Sequence, residues 1–169
     1  MSTTPQQHKA EAPKSLGCAV VTVSDTRTLE TDTGGGEVVR RLEVAGHQVV
    51  AREIIPDEPS QMKPLLERLR SDPQVDAVLM TGGTGISSRD QTFETVASLL
   101  TKPLPGYGEL FRWLSYNEIG AAAMLSRATG GLMGNTLLLT MPGSRPAVQL
   151  AMEKIILPEL GHLVREARR

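Results

Sequence analysis

A chain of 169 residues is the size of one ordinary domain and long enough to bury a sizeable core. Its 40% hydrophobic and 22% charged content lies near the globular average, which excludes wholesale disorder and a membrane protein as expectations. Lys+Arg 18 against Asp+Glu 19 leaves a formal charge of −1, without the basic excess that phosphate contacts to nucleic acid require, so neither nucleic acid nor membrane is an expected partner.

In chain order, residues 1–15 are polar, carry Pro5 and Pro13 and lack the apolar core of a signal peptide. They read as a disordered tail, leaving residues 16–169 as the folded domain. Cys18 is the only cysteine, so no intramolecular disulfide forms, and the chain fits a reducing compartment, the cytoplasm. Residues 18–24 are an apolar, β-branched run without clean alternation, the pattern of a strand covered on both faces. Residues 25–36, rich in Thr, Asp and Gly, read as a loop; Val38, Val39, Leu42 and Ala45 then recur at helical spacing before Gly46.

Residues 47–55 read as a second strand and 56–59, with two prolines, as a loop. Ser60 is the expected cap of a helix with the stripe Met62, Leu65, Leu66 and Leu69, with Pro64 tolerated in its first turn. A third strand, 76–81, runs into a glycine loop, and 92–100 reads as a helix with Phe93, Val96 and Leu99 or Leu100 inward. Prolines and glycines break the pattern over 102–107, and 109–125 reads as a helix in one or two pieces around Gly120. Residues 129–132 and 136–141 read as a hairpin turning at Gly134-Asn135. Ser144 is placed to cap a last helix, with Pro146 in its first turn and Pro158 kinking it.

This alternation predicts an α/β fold with a mostly parallel sheet and helices on both faces, whose ligands lie beyond the carboxyl ends of the strands. There, Gly82, Gly83 and Gly85 remove side chains where a strand is expected to meet a helix, so backbone amides approach a phosphate closely, aided by the helix dipole. Thr84 and Ser87 add hydroxyls, while a tight turn alone is the alternative use of the glycines. Asp57 and Asp90 fall in neighbouring loops and suit Mg²⁺ beside phosphates; each has a local alternative, Asp57 shaping a Pro-Asp turn and Asp90 capping a helix. Asp25 and Asp32 share that ambiguity, with turn formation the expected role of Asp32. Arg89, Arg127 and Arg145 are candidate phosphate contacts through the guanidinium fork. Phe111, Trp113 and Tyr116 suit a core or a subunit contact, and the histidines have no metal-ligand spacing.

Together these motifs resemble the MoaB/MogA family of molybdenum cofactor biosynthesis proteins, which includes the molybdopterin adenylyltransferase domains of gephyrin and plant Cnx. The resemblance runs through Val21-Thr22-Val23-Ser24-Asp25, Asp32-Thr33-Gly34-Gly35, Ile55-Pro56-Asp57, Thr81-Gly82-Gly83-Thr84-Gly85 with Arg89-Asp90, and Gly106-Tyr107-Gly108-Glu109. It continues through Leu125-Ser126-Arg127-Ala128 and Met141-Pro142-Gly143-Ser144, and Glu118-Ile119-Gly120 brings the chain closer to MoaB than to MogA.

The resemblance implies a three-layer α/β/α fold, a trimer or dimer of trimers, and Mg²⁺-dependent transfer of AMP from ATP to the terminal phosphate of molybdopterin. It implies that Asp57 and Asp90 are the catalytic, Mg²⁺-binding aspartates. By the same resemblance Gly82, Gly83, Thr84, Gly85, Gly143 and Ser144 cradle nucleotide phosphates, and Ser24, Asp25, Ser126 and Arg127 lie toward the pterin or neighbouring phosphates. Other proteins of the same pathway are possible partners. Relatives often read Asp-x-Ser-Gly where this chain has Asp32-Thr33-Gly34-Gly35. A non-catalytic molybdopterin carrier is the alternative reading, and a nucleotide hydrolase with a related domain is a third.

Overall fold

The computed structural model describes residues 13–169, so residues 1–12 of the expected tail lie outside the described residues. The chain runs β1 (Gly17–Val23), α1 (Thr33–Val44), β2 (Gln48–Ile55), α2 (Pro59–Ser71), β3 (Ala77–Thr81), α3 (Thr92–Leu99), β4 (Lys102–Pro103) and α4 (Pro105–Ile119). A 3₁₀ segment (Gly120–Leu125), β5 (Gly130–Met133), β6 (Thr136–Met141), α5 (Arg145–Ala151), a π turn (Met152–Ile156) and α6 (Leu157–Ala167) complete it. The six strands form one sheet in the order β2-β1-β3-β6-β5-β4. The first four run parallel; β5 and β4 are antiparallel to their neighbours.

Helices cover both faces, giving the expected three-layer α/β/α arrangement. Cys18 and Val20 join Val38 and Leu42 of α1, Phe111 of α4, Val148 of α5 and Leu160 of α6 in one core. The alternate residues Ala19 and Val21 join Met62, Leu65, Leu66 and Leu69 of α2 and Val96 of α3 in the other. A strand packed on both sides has no polar face, which is why β1 and β3 read as unbroken apolar runs. The helix after β1 thus packs on one face and the helix after β3 on the other, which opens a crevice between the ends of these adjacent strands.

Several boundaries differ from expectation. Helix α1 starts at Thr33, inside the expected loop, because Asp32 caps it, accepting from the Gly35 amide at 2.8 Å and from the Thr22 hydroxyl at 2.7 Å. A Cβ on Gly35 would lie 2.2 Å from Asp32 Oδ2 and 2.3 Å from Thr22 Oγ1, so glycine is what lets the capped turn close. Helix α2 starts after Glu58, not Ser60, with Pro59 in its first turn and Pro64 inside the helix. Ser60 and Pro64 are exposed, so solvent is at hand for the carbonyl that Pro64 leaves without a donor.

Strand β4 occupies the segment that reads as irregular, and α4 begins at Pro105 because proline suits the first helical position. The hairpin turns at Gly134, with φ +63°, as expected. Ahead of Pro158 the helix widens into the π turn, which accommodates the amide that proline lacks. No described helix is long and apolar enough to cross a membrane.

Candidate functional site

Residues 24–32, 56–58, 82–91 and 142–144 follow the four parallel strands, so the sheet topology gathers them at one edge. The glycine loop owes its shape to close approach as much as to ligand access. Gly82 and Gly83 take φ +98° and +65°, a region side chains disfavour. A Cβ on Gly82 would meet Val23 O at 2.3 Å, and one on Gly83 would meet Thr92 Oγ1 at 2.0 Å and Asp57 Oδ2 at 2.4 Å. Helix α3 starts only at Thr92, so the loop does not pass straight into a helix and the expected helix dipole is not directed at it.

Asp57 sits at a tight turn closed by the Glu58 amide to Pro56 O at 2.8 Å. Its side chain is only 5% exposed; Oδ1 accepts from the Thr92 hydroxyl at 3.3 Å, and the buried Oδ2 has no partner. Burial pushes its pKa above the usual carboxylate value, opposed by hydrogen bonds from the Gln91 backbone and Thr92, while the charge of Asp90 adds to the rise. An orphaned buried carboxylate oxygen is a costly group whose natural complement is a cation.

Asp90 does not cap α3; Gln91 holds that position, and Asp90 Oδ2 accepts from the Ser87 amide at 2.9 Å. A Cβ on Gly85 would lie 2.8 Å from Asp90 Oδ2, so Gly85 too makes room for a carboxylate. Among the described residues no three His, Cys, Asp or Glu side chains group as a metal site. Two carboxylates leave the remaining coordination to water and phosphate, which fits Mg²⁺.

Two cavities of about 330 Å³ each flank Gly143 and Ser144. One is lined by Gly83, Thr84, Gly85, Asp90, Ser126, Gly143 and Ser144 and has an apolar floor including Phe111, Ile119, Ala123 and Leu125. The other takes in Thr22, Ser24, Arg27, Asp32, Thr33, Gly82, Gly143 and Ser144 and is more polar. Gly34 packs so closely on this ridge that a Cβ would lie 2.8 Å from Gly143 O, so a side chain there would force the ridge to move.

Asp25, Asp57 and Arg127 line neither cavity. Arg89 grips Asp25 through two 2.8 Å bonds and also reaches Glu58 at 2.5 Å, while Asp25 Oδ1 accepts from the Asp57 amide at 3.4 Å. This strap joins the loops after β1, β2 and β3, and the Arg89 hydrogen bond holds the Asp25 carboxyl below its usual pKa. Arg127 is likewise committed: Nε donates to Gly85 O at 2.7 Å, Nη2 to Asp90 O at 2.9 Å, and Nη1 pairs with Glu94. Its guanidinium lies 5.3 Å from the Phe93 ring centre. Arg127 therefore braces the glycine loop against α3, with its guanidinium committed to protein oxygens. Arg145 is exposed and reaches buried Glu37 at 3.5 Å.

Sequence reading missed Thr92, Glu58 and Ser115 at this edge. Thr92 reads as an ordinary first helical residue, and Glu58 as part of a proline loop. Ser115 carries a detectable signal, a polar residue one helical turn after Phe111 on the inward stripe of α4.

Against known proteins, the family described as a probable molybdopterin binding domain matches residues 19–162. Molybdenum cofactor biosynthesis protein B of Bacillus subtilis is 52% identical over 165 residues, 97% of each chain. The protein of the same name from Halalkalibacterium halodurans is 49% identical over 162 residues, 95% of each. A crystal structure of a molybdenum cofactor biosynthesis protein B superposes with TM-score 0.90 at 49% identity, covering 94% of this chain and 99% of that one. The tungsten cofactor synthesizing protein MoaB from Pyrococcus furiosus gives 0.83 at 35% identity, over 94% and 100%.

Proposed function

Because the chain belongs to the molybdopterin-binding MoaB/MogA family, we propose that it serves molybdenum cofactor biosynthesis by transferring AMP from ATP to the terminal phosphate of molybdopterin. The observation that carries this reading is the unpartnered buried oxygen of Asp57, set against Gly83 and within the electrostatic reach of Asp90.

In this reaction a terminal phosphate oxygen of molybdopterin attacks the α-phosphorus of ATP, forming a new P–O bond as the bond to pyrophosphate breaks. Catalysis of such a step is mostly positioning and charge stabilisation. Backbone amides of residues 82–85 and the ridge Gly143-Ser144 orient the phosphates, and Thr84 and Ser144 add hydroxyl donors. Asp57 and Asp90 are the residues that would hold Mg²⁺, and the ion would supply positive charge to offset that developing on the transferring group. Ser24 and Ser126 face the two cavities and contact the substrates there. Asp25, Arg89 and Arg127 hold the loops rather than the ligand.

Incubated with molybdopterin, ATP and Mg²⁺, the protein is expected to yield adenylyl-molybdopterin, with Asp57→Ala and Asp90→Ala each reducing the rate at least ~100-fold. No product above those variants would overturn the reading. One observation favours the alternative of a molybdopterin carrier: Arg89 and Arg127 are both spent on protein oxygens, which leaves few free cations for a triphosphate. The carrier reading requires molybdopterin binding by calorimetry with no turnover.

Self-association into a trimer or dimer of trimers is part of the proposal. Leu110, Trp113, Tyr116 and Ile119 of α4, with Met124 and Leu125, leave large apolar side chains exposed, Trp113 by 64%. Of the aromatic residues read as core or subunit contact, Phe111 is buried in the core. We place the protein in the cytoplasm, and other proteins of the pathway are the partners it would pass its product to.

A further inference from the structure

Helix α4 turns Tyr107, Gly108, Phe111 and Ser115 inward. Successive positions on such a stripe are normally apolar, and the first three pack as expected, Tyr107 also donating its hydroxyl to Thr140 O at 2.9 Å. Ser115 is just as buried, at 6% exposure, yet it ends the stripe in the wall of the apolar-floored cavity, facing the same space as Thr84, Gly85, Asp90 and Ser144.

Its hydroxyl has no protein partner among the described residues. Other helical hydroxyls satisfy themselves on the preceding turn, Ser71 on Glu67 O at 2.9 Å, Thr95 on Gln91 O at 2.8 Å and Ser98 on Thr95 O at 2.7 Å. The Ser115 hydroxyl is not among the fully buried unpartnered atoms, so it opens onto the cavity, where water or a ligand group completes its hydrogen bonding. The surroundings define what that partner is. Phe111, Ile119, Ala122, Ala123, Leu125 and Ala147 give the cavity an apolar lining, and Thr84, Gly85, Asp90 and Ser144 line the same space. That combination suits a flat nitrogen heterocycle carrying a phosphate, with a ring nitrogen or exocyclic group at Ser115.

We propose that Ser115 is a specificity-determining residue whose hydroxyl hydrogen-bonds the heterocyclic base of one of the two substrates. The assignment rests on the proposed adenylyl transfer, whose two substrates, ATP and molybdopterin, both fit this chemistry. The effect of removing the hydroxyl is expected to fall on only one of them, because one cavity holds one base.

The test measures binding of ATP and of molybdopterin, each alone, by calorimetry for the wild type, Ser115→Ala and Ser115→Thr, with melting temperature as the folding control. Ser115→Ala is expected to melt like the wild type and to bind one ligand about 5–20-fold more weakly, while Ser115→Thr, which keeps the hydroxyl, recovers most of that loss. The ligand affected identifies the base in the cavity. Equal binding of both ligands by a folded Ser115→Ala overturns the assignment and leaves the adenylyl-transfer reading standing. A wild type that binds neither ligand overturns both. Should Ser115→Ala melt lower, loss of affinity for both ligands alike would also overturn it, since that is what a structural role predicts.

Discussion

Asp57 carries a stability cost in exchange for its place at the site. Burial raises its pKa, so the folded chain holds the proton more tightly than the unfolded chain; the resulting stability is present below the usual 3.8 and is lost as pH rises through the raised value. Asp57→Asn is therefore expected to melt a few degrees above the wild type at pH 7, with the gap closing toward pH 3, while losing transfer activity; an unchanged melting temperature at pH 7 would contradict the burial argument. Glu37 behaves oppositely. Hydrogen bonds from Arg40, then Arg41 and Gln149, bring its pKa from 4.5 down to about 2, so its contribution is complete above 4.5 and lost as pH falls toward 2. Glu37→Gln should destabilise the protein at neutral pH and much less near pH 2, as read from melting curves across that range. Gly83→Ala combines strain at positive φ with a clash against Asp57 and Thr92, and is expected to cost at least ~1–2 kcal/mol and most of the activity, measured by denaturant unfolding alongside turnover.

At the scale of elements, the long periodic segments were legible because their burial follows a period that one sequence displays. Met62, Leu65, Leu66 and Leu69 are all in the core as the helical spacing requires, and the hairpin at Gly134 follows from its turn residues. What was hidden depends on contacts distant in sequence. The start of α1 at Thr33 rests on Asp32 bonding to Thr22, and β4 is a strand only because Lys102 and Pro103 pair with Leu132 and Gly131. The site shows the same division. Glycines and aspartates in loops after strands were visible, whereas the inward use of Arg127 and the Arg89 strap follow from three loops meeting in space. Arg89 and its partners are half-exposed, so Arg89→Ala should leave the melting temperature nearly unchanged, yet speed amide hydrogen exchange in residues 24–32 and 82–91. Unchanged exchange would mean that the loops hold themselves.

For the whole molecule, the sheet order explains why residues so far apart in sequence meet. Four parallel strands deliver their following loops to one edge, and the change of helix face between β1 and β3 opens that edge to a ligand. The exposed apolar face of α4 borders the same edge, since Ile119 belongs both to it and to the cavity floor. On the proposed self-association, the wild type is expected to scatter as an oligomer and Trp113→Asp combined with Tyr116→Asp as a monomer; an unchanged mass in the double variant would contradict a subunit contact through this face. The proposed transfer is tested most directly by pyrophosphate released from ATP in the presence of Mg²⁺, with and without molybdopterin. Release is expected to require molybdopterin, to match adenylyl-molybdopterin mole for mole, and to disappear in Asp57→Asn. Molybdopterin bound with no pyrophosphate released, or release indifferent to molybdopterin, would contradict it.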